Sequence, residues 1–173
     1  MRRITKIGFG GGCHWCTEAV FQSLKGVHKV EQGFIAGQDE NSSFSEAVIV
    51  SYNAEEIPLK VLIEVHLRTH NSTSAHAMRR KYRSAIYTFN DGMFGYAESY
   101  LKELQSDFGQ NLITKVCHFK AFKPSQEAFQ DYFYSNPEKP FCETYISPKL
   151  EVLLTKFASY ADKNKINRHH EVK

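Results

Sequence analysis

Apolar and polar positions along this chain change period several times, and each change marks the end of one element and the start of another. Ile4 to Phe9 alternates apolar with other residues and stops at Gly10, Gly11 and Gly12, which predicts a strand delivering the chain into a tight turn. From Cys13 the spacing becomes helical. Cys16, Val20 and Leu24 share one face, and Gly26 is a stop. Val27 to Ala36 predicts a second strand, Gln38 to Phe44 a polar surface loop, and the β-branched Ala47 to Tyr52 a third strand ending at Asn53. Pro58 opens a helix through Leu62 and Val65 that the polar stretch Thr69 to Ala75 ends. Ser84 to Phe89 is strand-like. Asp91 to Phe108 has helical spacing, with Asp91 as its cap and Gly109 as its stop. Ile113 to Phe119 alternates again, Gln126 to Tyr134 predicts a short helix, Asn136 to Cys142 an irregular segment with two prolines, and Pro148 to Tyr160 a last helix.

Strands and helices interleave, but the strands between residues 27 and 52 have no helix to carry a parallel crossover. A mixed sheet packed by helices, an α+β fold, follows. With 173 residues, 42% of them hydrophobic, the chain can bury one good core. One domain over residues 1–160 is expected, followed by a polar tail at 161–173 that frays. The formal charge of +3, from 22 basic and 19 acidic residues, is too balanced for a nucleic-acid surface. No apolar run could span a bilayer, and no export signal precedes the first strand, so the expected location is the cytoplasm. Four cysteines in such a setting point to redox chemistry, metal binding or burial rather than a disulfide framework.

The chemistry concentrates in Phe9 to Phe21, FGGGCHWCTEAVF. Glycines let a substrate approach the main chain, and Cys13 sits where the first amides of a helix point, a place that favours a thiolate. Three readings of CHWC compete. Cys13 and Cys16, one turn apart, could form a thioredoxin-like dithiol. They could be half of a zinc site, although Cys117, Cys142, His14, His66, His70 and His76 do not supply the usual second pair. Cys16 could also be a buried helix residue beside Val20 and Leu24. Three preceding glycines make burial a poor account of Cys13, whereas Cys117 lies in an apolar alternation and reads as core. Cys142 follows Pro140 and Phe141 in a loop from which it could reach another sulfur. The basic run Arg79, Arg80, Lys81 and Arg83 reads first as a solvated face, and second as charges that tune the potential around Tyr82, lower the Cys13 pKa or recruit acidic protein segments.

GGCHWCTEAVF resembles the signature of the A-type peptide methionine sulfoxide reductases. Four further stretches fall in that family's order: QGFIAG, SEAVIVSY, KYRSAIY, and SNPEKPFC followed by ISPKL. The resemblance runs from about Lys6 to Phe157 and implies a two-layer, ferredoxin-like α+β fold with a mixed sheet. It implies Cys13 as nucleophile, Trp15 as the pocket tryptophan, Glu46 as catalytic acid, Tyr82 as one of two tyrosines binding the sulfoxide oxygen, and Cys142 as the resolving thiol. Gly12 and His14 complete the substrate-binding set. His14 stands where the family shows phenylalanine, Phe44 and Ser45 where it shows histidine and alanine, and the second tyrosine has no counterpart. HNST at His70 to Thr73 resembles a His-Asp-Pro-Thr motif. These departures mark a divergent branch with a rebuilt pocket rim.

The resemblance implies reduction of methionine S-sulfoxide, free or in proteins, without a bound cofactor or metal. Cys13 attacks the sulfur while a neutral Glu46, kept so by poor solvation, protonates the oxygen. Cys142, or Cys16 by proximity, then condenses with the resulting sulfenic acid, and a thioredoxin-like protein resets the enzyme, expected to be a monomer. A general CxxC disulfide oxidoreductase and a non-catalytic sulfoxide-binding module are the competing functions.

Overall fold

A computed structural model of the chain describes residues 4–75, 77–126, 129–135 and 142–166. Five strands organise it: β1 (Ile4–Gly10), β2 (Val27–Gly37), β3 (Ser45–Asn53), β4 (Ala85–Thr88) and β5 (Lys115–Pro124). Their order is β1-β3-β2-β5-β4, and β4 pairs back to β1, so the sheet closes into a barrel. Every pairing is antiparallel except β4 with β5, which makes the sheet mixed, as expected. Closure itself is a long-range property that local periodicity does not encode. The parallel β4–β5 pair needs a crossover, and α3 (Asp91–Gln105) supplies it.

Strand alternation divides the core in two. On β3, whose nine residues are all buried, Val48, Val50 and Tyr52 join the main core with Ile7, Phe9 and Ile86. Ala47 and Ile49 turn the other way, into a smaller cluster with Ile35, Ala85, Tyr87 and Cys117. The main core is roofed by α1 (His14–Gln22), α2 (Leu59–Arg68), α3 and α5 (Ser147–Lys156), which contribute Phe21, Leu62, Leu104 and Leu153. Cys117 belongs to the inner cluster at 4% exposure, and burial raises its thiol pKa. It is packing, as its alternation indicates.

Several boundaries differ from the sequence reading. The cap of α3 is Asn90, whose side chain accepts from the Met93 amide at 2.8 Å, one residue before the expected Asp91. Among the described residues of the expected helix Gln126 to Tyr134 is α4 (Tyr132–Ser135), at whose start the Asp131 and Tyr132 amides donate to the Glu18 carboxylate. The polar tail expected to fray from residue 161 instead packs through residue 166. Ala161 bridges to Leu24, the Asp162 amide donates to the Ser23 carbonyl at 2.8 Å, and Ile166 is fully buried. Of the segment Asn136 to Cys142, expected to be irregular, residues 136–141 lie outside the described residues and Cys142 begins a π-helical turn.

The rim that matters is where β1 ends. Gly10 pairs with both Ala47 and Ala85, and Gly33 pairs with Ala47, so the ends of β1, β3 and β4 meet the middle of β2 in one place. The start of α1 sits on that rim.

Candidate active site

Gly11 makes the entry to α1. Its φ of +149° is unfavourable for residues with a side chain, and an added Cβ would lie 2.5 Å from the His70 ring. Gly12 is freer, since an added Cβ would meet its nearest neighbour, the His70 Cβ, at 4.0 Å, an ordinary contact. Cys13 is the N-cap, in an extended conformation, and its side chain caps no amide by hydrogen bonding in the usual way. Its half-buried thiol pKa is lowered. The largest cause is a hydrogen bond from the Cys16 side chain, and the backbone amides of Trp15 and Cys16 act in the same direction, while burial and the Glu46 charge oppose them. That combination is the electropositive helix start that favours a nucleophilic thiolate.

The first turn of α1 splits into two flanks. Cys13, Cys16 and Thr17 line a cavity of about 370 Å³ with Gly12, His66 and Tyr82. Lys149, Tyr145 and His70 also reach it. His14 and Trp15 do not line this cavity, and neither does Glu46. Trp15 stacks face to face on Tyr132, with ring centroids 4.1 Å apart, and tilts against Phe129 at 5.8 Å. His14 points to the barrel rim, where its Nδ1 lies 2.9 Å from the Gly33 carbonyl and its Nε2 3.4 Å from Glu46 Oε1. Gly33 allows this approach, since a Cβ there would lie 2.3 Å from the Lys123 carbonyl on β5.

Glu46 opens β3 opposite Phe34 and is 6% exposed. Its Oε1 accepts from the His14 amide at 3.3 Å, and Lys81 Nζ lies 3.6 Å from Oε2. The barrel and the helix thus bring Cys13, Cys16, His14 and Glu46 together. Tyr82 stands across the cavity from the helix, with Lys81 Nζ 5.1 Å from its ring. Cys142 begins a π-helical turn, Cys142–Ile146, that packs on α1 and carries Tyr145 into the cavity. The placement of the Cys142 side chain lies outside the described residues.

Several residues outside the expected site set build this site. Arg79, read as part of a solvated face, instead donates to the carbonyls of Ser74 (2.8 Å), Gly11 (2.7 Å), Tyr82 (2.9 Å) and Asn71. It ties the glycine turn to the loop carrying Tyr82. Arg83 likewise donates to Tyr87 Oη at 3.1 Å and to the Ser43 carbonyl at 2.6 Å. Lys81, by contrast, is exposed. His66 donates from Nε2 to the Gly10 carbonyl at 2.7 Å, stacks on His70 with centroids 4.2 Å apart, and has a pKa pushed down to about 4, mainly by burial. Burial also puts His70 well below the ordinary imidazole value, so both rings are neutral at pH 7. Lys149 donates to the Thr69 carbonyl; burial lowers its pKa while the Cys16 and Cys13 thiols raise it. Glu18 is fully buried, and its pKa is raised mainly by that burial. Hydrogen bonds from the Asp131 and Tyr132 amides and from Gln32 oppose the rise, and through them Glu18 fixes the segment that stacks on Trp15. Among the described residues, no three His, Cys, Asp or Glu side chains gather as a metal site, and no helix is long and apolar enough to cross a membrane.

A family model described as "Peptide methionine sulfoxide reductase" matches residues 5–162. A curated relative from Psychrobacter sp. (strain PRwf-1), named "Peptide methionine sulfoxide reductase MsrA", is 33% identical over 170 residues, covering 89% of this chain and 97% of that protein. Among solved structures, Mxr1 from Saccharomyces cerevisiae in reduced form superposes with a TM-score of 0.72 at 23% identity, covering 83% of this chain and 91% of the yeast chain. Mxr1 solved in complex with Trx2 superposes at 0.60 with 24% identity, covering 72% and 83%. At these identities the yeast structures show the fold.

Proposed function

The chain belongs to the peptide methionine sulfoxide reductase family, as an oxidoreductase that reduces methionine sulfoxide to methionine, and from that premise we propose that Cys13 is its nucleophile and the S-sulfoxide its substrate. The observation that carries this reading is Cys13 itself. It caps a helix, its pKa is lowered by Cys16 and by two backbone amides, and it opens onto a cavity shared with Tyr82.

The Cys13 thiolate attacks the sulfoxide sulfur while the Glu46 carboxyl gives a proton to the oxygen and Tyr82 holds that oxygen by a hydrogen bond. The sulfur–oxygen bond of the substrate breaks and the hydroxyl passes to Cys13. Methionine leaves with its sulfur reduced by two electrons, and Cys13 is left oxidised to a sulfenic acid. A second thiol condenses with that sulfenic acid, forming a disulfide and releasing water. Cys142 is the resolving thiol implied by the family pattern. Cys16 is a second reading, favoured by its hydrogen bond to Cys13. A thioredoxin-like dithiol protein then returns both thiols by exchange, a reading supported by the likeness to Mxr1, which has been solved with Trx2. Gly12 lines the cavity beside Cys13, whereas Trp15 and His14 lie on the other flank of the helix start, against Tyr132 and the Gly33 carbonyl, so the recognition role the family pattern implies for them is exercised from outside that cavity. The protein acts as a cytoplasmic monomer.

Mapping disulfides by mass spectrometry after one turnover tests this scheme. A Cys13 disulfide to Cys142 or to Cys16 is expected in step with methionine release. Methionine release with Cys13 still a free, alkylatable thiol would overturn it.

A further inference from the structure

We propose that His14 is a proton-holding partner of Glu46, a positioning residue that keeps a transferable proton on the carboxylate during sulfoxide reduction. This rests on the reading of Glu46 as the acid. A carbonyl oxygen only accepts, so the 2.9 Å contact between His14 Nδ1 and the Gly33 carbonyl places a proton on Nδ1. The other ring nitrogen, Nε2, then faces Glu46 Oε1 at 3.4 Å. In a neutral ring of that tautomer Nε2 carries a lone pair, and a carboxylate facing a lone pair is repelled. The contact is favourable only with one more proton between the two groups, either on Glu46 donating to Nε2 or on Nε2 donating to Glu46.

Both partners are sheltered enough for that proton to be held, since His14 is 7% and Glu46 6% exposed. His14 is fixed from several sides: by the Gly33 carbonyl, by the edge-on Phe34 ring at 5.3 Å, and by its own helix, whose His14 amide reaches the same Oε1 at 3.3 Å. The charged and titratable groups facing the pair are Lys81, 3.6 Å from Oε2, and Cys13 at the helix cap, whose thiol feels the Glu46 charge. His14 Nε2 therefore gives the transferable proton a second place to rest beside Glu46. When the proton leaves for the sulfoxide oxygen, the pair is left as carboxylate and neutral imidazole, and the next proton comes from water. A phenylalanine at this position could hold no proton, so the exchange to histidine changes how the acid is supplied.

Single-turnover methionine formation by the full chain, followed from about pH 5 to about pH 9, tests this. In His14→Gln and His14→Phe the fall in rate on the basic side should begin at a lower pH than in the wild type. Variants that keep the wild-type limb would overturn the proposal. Nitrogen-15 spectra of the His14 ring in the unaltered protein give an independent arm. A proton on Nδ1 supports the assignment, and a neutral ring protonated only at Nε2 contradicts it. Glu46→Gln separates the two layers of the argument. A slowed Glu46→Gln with an unmoved His14→Gln limb removes only the role of His14, whereas a Glu46→Gln that reacts at the wild-type rate removes the acid itself.

Discussion

His66 ties the pH dependence of stability to the architecture of the site. Its ring is 2% exposed, donates to the Gly10 carbonyl at the end of β1, and lies against His70. Burial pushes its pKa down to about 4, with the Gly10 hydrogen bond opposing and the charges of Arg79 and Lys149 adding to the fall. In the unfolded chain the same imidazole takes up its proton near ~6.5. Between those values the unfolded state binds more protons than the folded one, so acid favours unfolding. The contribution of His66 is fully present above about pH 6.5 and is lost as the pH falls toward 4. Integrated from about pH 7 to about pH 5, the loss is roughly 2 kcal/mol, or roughly 4–8 °C in Tm for a domain of this size. His66→Gln keeps a donor for the Gly10 carbonyl and removes the titration. Urea unfolding of both proteins at the two pH values reads the effect, and burial, the main cause of the low His70 pKa, is present in each. The wild type should lose about 2 kcal/mol more than the variant. Parallel losses would refute the reasoning, since His66 would then titrate alike in both states.

Further outcomes follow from the contacts around Cys13. Cys16→Ala removes the largest cause of its lowered thiol pKa, so the midpoint of iodoacetamide alkylation at Cys13 should rise; an unchanged midpoint would assign the lowering to the helix amides alone. Arg79→Lys cannot serve carbonyls on three separate loops with one ammonium. Thermal unfolding should show a loss of about 1–3 kcal/mol, with slower methionine formation as the glycine turn and Tyr82 lose their tie. Wild-type values in both assays would contradict the clamp.

Much of the scaffold was legible because it is written in short-range period. The alternation in Ala47 to Tyr52 marks a strand whose two faces serve two cores, and Cys16, Val20 and Leu24 mark the buried stripe of α1. Cys13 was legible too, because three glycines before a helical pattern leave few other uses for a cysteine. What did not show is what depends on distant partners. Closure of the sheet rests on pairing β1 with β4 some 77 residues later in register, Gly8 with Tyr87 being 79 apart and Gly10 with Ala85 being 75 apart. Arg79 reads as one charge in a basic run because its acceptors are backbone carbonyls, which every residue possesses and no sequence pattern flags. His66 and His70 read as helix-end residues, and only the fold brings them under the glycine turn. His14 was visible as an oddity, but its meaning needed Glu46, 32 residues away.

The central claim is that Cys13 performs the reduction. Incubation with the separate S and R epimers of methionine sulfoxide, in the wild type and in Cys13→Ser, tests it most directly by counting methionine formed per enzyme before any reductant is added. The account predicts about one methionine from the S epimer, little from the R epimer, and none from either in Cys13→Ser. Methionine formed by Cys13→Ser at the wild-type rate, or equal reduction of both epimers, would contradict it.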